Sequence, residues 1–264
     1  MKPTAFAIDL DGVIYRGPEP IPGAVEFIRT LQETDIPFCF VTNNSEHHPS
    51  HYLDKLHHLG ITIEPKKLLS ASQVLVDQLL RHHSEDRIYV VGTVGLQTLL
   101  VENGMTIQTD SKDGTPDLIV LGEVRSLDYD ELCTVVHWAE QNIGVKATNC
   151  DRIIPNAQGL LVGCGAITQL IVEAASVKAE YFGKPSVHMA EAISQRLAMP
   201  LERVAMVGDT LETDIQLAVD HGMQSILVLS GNTQRNDLRH LDQDALWVVG
   251  SVADLIPALR AASP

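Results

Sequence analysis

Short apolar runs, each followed by a stretch of helical spacing, recur along this chain, and that alternation limits the fold more than any other feature. Ala5-Phe6-Ala7-Ile8, Pro37-Phe38-Cys39-Phe40-Val41, Arg87-Ile88-Tyr89-Val90-Val91-Gly92, Leu118-Ile119-Val120-Leu121-Gly122 and Val204-Ala205-Met206-Val207 are apolar almost throughout. They suit strands buried on both sides, as in a parallel sheet covered by helices. Leu68-Leu69-Ser70, Val145-Lys146-Ala147-Thr148, Ser225 to Leu229 and Leu246 to Val249 read as further strands. Between the runs the apolar residues return with a helical period, first as Ala24, Phe27, Ile28 and Leu31 behind Pro22, a first-turn proline whose missing N–H is no loss. Other helices are predicted over about 49–59, from Ser70 or Ser72 to 82, and over 96–102, 129–141, 165–179, 187–197 and 211–221, with a last one from Val252. The order predicts an α/β fold built on a parallel sheet.

The first run also delivers chemistry. Asp9 and Asp11 stand two apart, so on an extended strand they point to one side, and Gly12 allows the sharp turn that must follow. Ligands of open α/β sheets gather outside the carboxyl ends of the strands. Three later stretches have the same placement. Thr42-Asn43 ends a strand, Gly183-Lys184-Pro185 opens a helix, and Val207-Gly208-Asp209 ends a strand with Asp214 five residues on. Singly, Asn43 reads as a loop residue, Lys184 as a solvated lysine and Asp209 as a helix cap. Four such stretches, each at a strand's carboxyl end or a helix start, point to one site.

The bulk composition excludes some partners. The formal charge of −15 leaves no basic stripe for nucleic acid. No apolar stretch approaches the ~18 residues of a membrane span, and Met1-Lys2-Pro3-Thr4 runs into the first strand without a signal-peptide pattern, so a cytoplasmic location is expected. Cys39, Cys133, Cys150 and Cys164 lie far apart, as reduced structural thiols do. His47, His48, His51, His57 and His58 crowd one segment and His82-His83 form a pair, but no carboxylate or thiol completes a tight ligand set. They read as a solvated helix face. Gly92 and Gly95 are too sparse for a dinucleotide fingerprint, and there is no phosphate-binding G-x-x-x-x-G-K-[ST] loop.

With Asp9-Leu10-Asp11-Gly12, Thr42-Asn43, Lys184, and Gly208-Asp209 plus Asp214, the chain resembles the haloacid dehalogenase superfamily of phosphohydrolases. Thr148-Asn149-Cys150-Asp151, Gly183-Lys184-Pro185-Ser186 and the length of the middle segment are similar to its NagD and para-nitrophenyl phosphatase branch. Cys150 departs from that branch, where proline is common after the asparagine. The resemblance implies a Rossmann-like parallel-sheet core, residues 1–85 and 181–264, with an inserted α/β cap domain at 86–180 that covers the active site. It implies hydrolysis of small phosphate monoesters, such as sugar phosphates or nucleoside monophosphates, through an aspartyl-phosphate. In that reading Asp9 is the nucleophile and Asp11 the proton carrier. Mg²⁺ is held by Asp9, the Asp11 carbonyl and Asp209, with Asp214 behind them or linked through water. Thr42, the Asn43 backbone and Lys184 hold the phosphoryl group.

The substrate-selecting loop is expected at Asn149-Cys150-Asp151-Arg152-Ile153-Ile154-Pro155-Asn156, near Gly163-Cys164-Gly165. Asn149 and Asp151 are its candidate contacts. Arg152, its one cation, either meets a second anionic group of the substrate or is a surface arginine. The expected partner is a small phosphate ester, with no nucleic acid and no membrane. The oligomeric state stays open between a monomer and a cap-mediated homodimer. A catalytically idle binding or regulatory protein on the same fold and a phosphotransferase are the alternatives. An intact Asp9, Asp11, Lys184 and Asp209 favours the hydrolase.

Overall fold

The computed structural model describes residues 4–156, 159–240 and 246–262; the opening Met1-Lys2-Pro3 lies outside them. The chain divides into two compact units. One holds the chain up to Thr42, Tyr52–Leu69 and everything from Lys184 on; the other holds Asn43–His51 and Ser70–Gly183.

The first unit is organised on a six-stranded sheet in the order Leu246–Val249, Gln224–Val228, Val204–Gly208, Ala5–Asp9, Phe38–Thr42, Leu68–Ser70. Ala5–Asp9 is buried along its length and pairs parallel with both neighbours. This is the double burial that its unbroken apolar composition demands. The Ala24–Glu33 helix buries Ala24, Phe27, Ile28 and Leu31, the four predicted positions. Phe27 meets Phe6 edge to face at 6.2 Å. The core continues through Ile8, Phe40, Val207 and Ile226 on the strands and Val252, Leu255 and Leu259 near the end of the chain.

Strand order also fixes where a ligand can go. From Ala5–Asp9 the chain moves to Phe38–Thr42 on one side, whereas from Val204–Gly208 it moves to Gln224–Val228 on the other. The crevice at the carboxyl ends of these two central strands is therefore a topological switch point. Register places Asp9 opposite Val41, and Ile8 opposite Val207. Asp9, Thr42 and Asp209 thus leave the sheet at nearly one level.

The second unit carries its own parallel sheet, ordered Ala179–Tyr181, Gly144–Ala147, Leu118–Leu121, Arg87–Val91, Thr106–Gln108. Its core gathers Tyr89, Ile119, Leu121, Val135, Trp138 and Ile171. Ser70 caps the Ala71–His82 helix through a reciprocal box with Gln73, which decides between the two candidate serines.

Three local expectations need correction. The helix predicted to 179 spans Cys164–Ala175, because Ser176 turns left-handed at φ 55° and ends it. Ala179–Tyr181 is then an edge strand, too short to announce itself by pattern. The segment from Ile153 is a hairpin, Ile153–Asn156 against Gly159–Val162, rather than a plain loop. The helix expected over 211–221 begins as a π turn at Leu211–Ile215 and becomes α-helical only over Gln216–Asp220. Among the described residues no helix is long and apolar enough to cross a membrane. The four cysteines are free, and burial pushes the Cys39 thiol up to about 12 and the Cys164 thiol to about 11.

Candidate active site

Four predicted side chains converge in the first unit. Lys184 is 2 % exposed and donates to Asp9 Oδ1 at 2.7 Å and to Asp214 Oδ1 at 2.6 Å. Carboxylate oxygens of Asp9, Asp209 and Asp214 lie within 4.8 Å of one another, all three residues buried. Each is delivered by a separate local device. Asp9 ends its strand at the switch point. Lys184 precedes a helix whose first turn is capped by Ser186, which accepts from the Met189 N–H at 3.3 Å, while Pro185 O is bonded to His221 at 3.1 Å. The π turn widens the backbone so that Asp214 folds back, and its Oδ2 accepts from the N–H groups of Asp209 and Thr210, both at 3.1 Å.

Asp209 is seated just as tightly. Its Oδ2 accepts from the Asn232 N–H at 2.6 Å and its Oδ1 from the Thr210 hydroxyl at 2.9 Å. A Cβ at Gly231 or Gly12 would overlap this carboxylate, and Gly12 adopts φ +79° as well. Both glycines are thus required by the close approach, not by chain flexibility. Ser230 and Gly231 are in turn held by Arg16, which donates to both carbonyls.

The electrostatics show a site short of positive charge. Burial raises the Asp9 carboxyl well above the usual range; Lys184 opposes this, and Asp214 and Asp209 add to it. Burial, reinforced by Asp214, raises Asp209 to about 6 against the Asn232 and Thr210 hydrogen bonds and Lys184. For Lys184 burial works against the charge, but Asp214 and Asp9 outweigh it and hold the ammonium protonated. Three buried carboxylates face one buried ammonium. An all-oxygen donor set with this excess of negative charge fits a hard divalent cation.

Asp11 is exposed, yet enough protein surrounds its carboxyl that lost hydration raises its proton affinity, against the pull of Lys55 and Lys184. The Lys55 ammonium lies 3.4 Å from the centre of the buried Tyr15 ring. Sequence reasoning missed both residues. Tyr15 stands four positions past Asp11, within reach of that signal, whereas Lys55 lies on a helix and carries none.

The remaining predicted residues fall into two places. Thr42 is buried at the end of its strand in the first unit, and Asn43, the next residue, belongs to the second. There the Asn43 amide donates to Asp151 Oδ1 at 3.1 Å, and its carbonyl accepts from Asn149 Nδ2 at 2.8 Å. Asn149 is fully buried and its Oδ1 accepts from the Asp151 N–H at 3.0 Å, so its side chain is committed to the protein. Arg152 is exposed. Pro155 and Asn156 contribute backbone to the hairpin; their side chains lie outside the described residues. Of the histidines, His48 is bonded to Ser50 and Glu102, and His58 to the Asp54 carbonyl.

A switch-point carboxylate paired with a buried lysine, beside two more acids, is a site defined by position as much as by residue type. Residues 6–106 match the family model of haloacid dehalogenase-like hydrolases, and residues 181–255 a second model of HAD-like hydrolases. The chain is 30 % identical to 5'-nucleotidase YutF of Bacillus subtilis, over 96 % of this chain and 97 % of that one. It is 32 % identical to an acid sugar phosphatase of Staphylococcus epidermidis, over 89 % and 90 %. Among solved structures it is similar to a p-nitrophenyl phosphatase from Archaeoglobus fulgidus (TM-score 0.89, 27 % identity, 98 % and 100 % covered). NagD from E. coli K-12 is also similar (TM-score 0.85, 28 % identity, 96 % and 98 % covered). The chain belongs to the haloacid dehalogenase-like hydrolase family.

Proposed function

We propose that this protein is a Mg²⁺-dependent phosphatase that hydrolyses small phosphate monoesters through an aspartyl-phosphate on Asp9. The observation that carries the reading is the buried cluster in which Lys184 bridges Asp9 and Asp214 beside Asp209. An ionised carboxylate needs no base to act as a nucleophile, and Lys184 beside Asp9 favours that ionised form. Asp9 would attack phosphorus, forming an O–P bond as the ester O–P bond breaks. Asp11 would give its proton to the departing alkoxide, then take one from the water that cleaves the acyl-phosphate and regenerates Asp9. Thr42, the Asn43 backbone and Lys184 would hold the phosphoryl oxygens as charge spreads over them. Asp9, the Asp11 carbonyl and Asp209 would hold the cation, with Asp214 steadying them from behind. When bound, the ion supplies the positive charge that lets an anionic nucleophile meet an anionic phosphate.

The second unit would serve as the substrate-selecting domain, through the stretch from Asn149 to Asn156. Sugar phosphates and nucleoside monophosphates are the first substrates to try, given the relatives' names. The test is phosphate release from a panel of sugar phosphates, nucleoside monophosphates and p-nitrophenyl phosphate. Turnover should require Mg²⁺, vanish in excess chelator, and recover poorly with Ca²⁺, whose looser coordination relaxes in-line geometry. Full turnover after confirmed metal removal would contradict the reading.

A further inference from the structure

Glu123 lies two residues beyond the Leu118–Leu121 strand and has no part in the chemistry above. In the second sheet the chain leaves Arg87–Val91 and Leu118–Leu121 toward opposite sides, so their carboxyl ends form that sheet's own switch point. Glu123 is only 4 % exposed. Its backbone is fixed from two directions, the N–H donating to Ser45 Oγ at 3.3 Å and the carbonyl accepting from the Thr93 N–H at 3.0 Å. Oε1 faces Asn149 Nδ2 at 3.4 Å, and the buried Oε2 has no hydrogen-bond partner among the described residues. A carboxyl group kept in such a place, at a desolvation cost, needs a reason. Asn149 supplies it, because that amide also grips the Asn43 carbonyl and the Asp151 N–H.

We propose that Glu123 is a positioning residue: it orients the Asn149 amide, and through it fixes Asn43 and Asp151 for substrate binding. The proposal rests on the phosphatase reading for the roles of Asn43 and Asp151. The groups facing Glu123 explain its protonation. Burial raises its carboxyl to about 7; the Asn149 hydrogen bond and Arg125 oppose this, and Asp151 and Glu46 add to it. Arg125 is itself tied to Glu46 by a two-pronged pair, and Cys164 also feels the charge of Glu123. Near and below neutrality Glu123 is a neutral acid, which glutamine mimics. When ionised it adds a third negative charge beside Asp151 and Glu46.

The test compares wild type, Glu123→Gln and Glu123→Leu on p-nitrophenyl phosphate with Mg²⁺ at pH 6 and pH 8, with thermal melts from pH 5 to 8. Leucine, which cannot accept the Asn149 bond, should raise KM about five-fold over wild type at pH 6, the equivalent of one neutral hydrogen bond, and by less at pH 8 where the wild type is itself weakened, with kcat changed less. Glutamine should retain most of the wild-type affinity at pH 6. From pH 6 to 8 the wild-type KM should rise relative to that of Glu123→Gln. A carboxyl raised in the folded state stabilises fully below its unfolded value and loses that contribution as pH climbs through about 7. The Gln variant should therefore gain melting temperature over wild type across that window and hold the gain above it. A folded Leu variant with wild-type KM, or a Gln variant as impaired as Leu, overturns the proposal. If Leu does not fold, a wild-type-to-Gln KM ratio that ignores pH overturns it. A wild-type protein with no phosphatase activity would sink the catalytic reading, and the melts would still decide whether the Glu123 clamp exists.

Discussion

On the proposed mechanism, Asp9→Asn should lower phosphate-ester hydrolysis by about 10⁴-fold or more, because it would remove the atom that bonds to phosphorus rather than one that assists it. The amide keeps the shape and leaves Lys184 paired with Asp214, so the loss is chemical, not a collapse of the site. Stability should move the other way. Burial and two neighbouring carboxylates raise the Asp9 carboxyl in the folded protein, and such a group loses its contribution to stability as pH rises through its folded value. At pH 8, without metal, a neutral isostere should therefore melt no lower than wild type. With Asp9 among the proposed ligands, the stabilisation by added Mg²⁺ should shrink, since that carboxylate has lost its charge. Steady-state rates and melts with and without Mg²⁺ check both halves. An Asp9→Asn protein that turns over at more than a hundredth of the wild-type rate would remove Asp9 from the reaction.

Lys184→Met should be nearly as damaging and should also destabilise. The ammonium is the only buried cation beside three buried carboxylates among the described residues, and it bonds two of them. Removing one partner of a buried pair leaves an uncompensated charge and costs about 3–5 kcal/mol. In metal-free protein Asp9 and Asp209, whose proton affinity Lys184 holds down, would respond by binding protons, and a protonated Asp9 is a poor nucleophile. In its proposed role Lys184 is also a donor to the phosphoryl group that strengthens as charge develops, an effect worth about 10²–10³ in kcat. Mg²⁺ should narrow the stability deficit, because a divalent ion takes up the same excess charge. Unchanged melting in chelator would mean that the Lys184 pairs contribute little.

The parts of this protein that the sequence reveals are those where burial and chemistry coincide. Asp9, Thr42 and Asp209 announce themselves because each breaks an uninterrupted apolar strand at its carboxyl end. Lys184 is visible as a charge before a proline at a helix start. Glu123 follows a similar rule, an acid two residues past a fully buried strand where Asp9 ends its own, and is overlooked because no motif draws attention to it. Other features leave no pattern. Thr106–Gln108 and Ala179–Tyr181 are three-residue edge strands, below the length at which periodicity speaks. The π turn at Leu211–Ile215 has the composition of a helix, and its extra residue per turn depends on the Asp214 carboxylate reaching back to two N–H groups. Asn149 reads as a substrate contact by its neighbours, and its buried amide also bonds the Asn43 carbonyl and the Asp151 N–H, which no pattern announces.

The most direct test of the account is to look for phosphate on the protein. In the proposed mechanism Asp11→Asn keeps the nucleophile and removes the proton carrier, so an alkyl phosphate, with its poor leaving group, should react about 10²–10⁴-fold more slowly. A p-nitrophenyl ester leaves as a stabilised phenolate and needs little help, whereas cleavage of the aspartyl-phosphate still lacks a base. Rapid mixing of Asp11→Asn with p-nitrophenyl phosphate and Mg²⁺ should give a burst of nitrophenolate near one equivalent, then a slow steady state. Mass spectrometry of the acid-quenched protein should find a hydroxylamine-sensitive phosphate on Asp9. Phosphate on any other residue, or a burst with none attached, would contradict the assignment of Asp9 and Asp11.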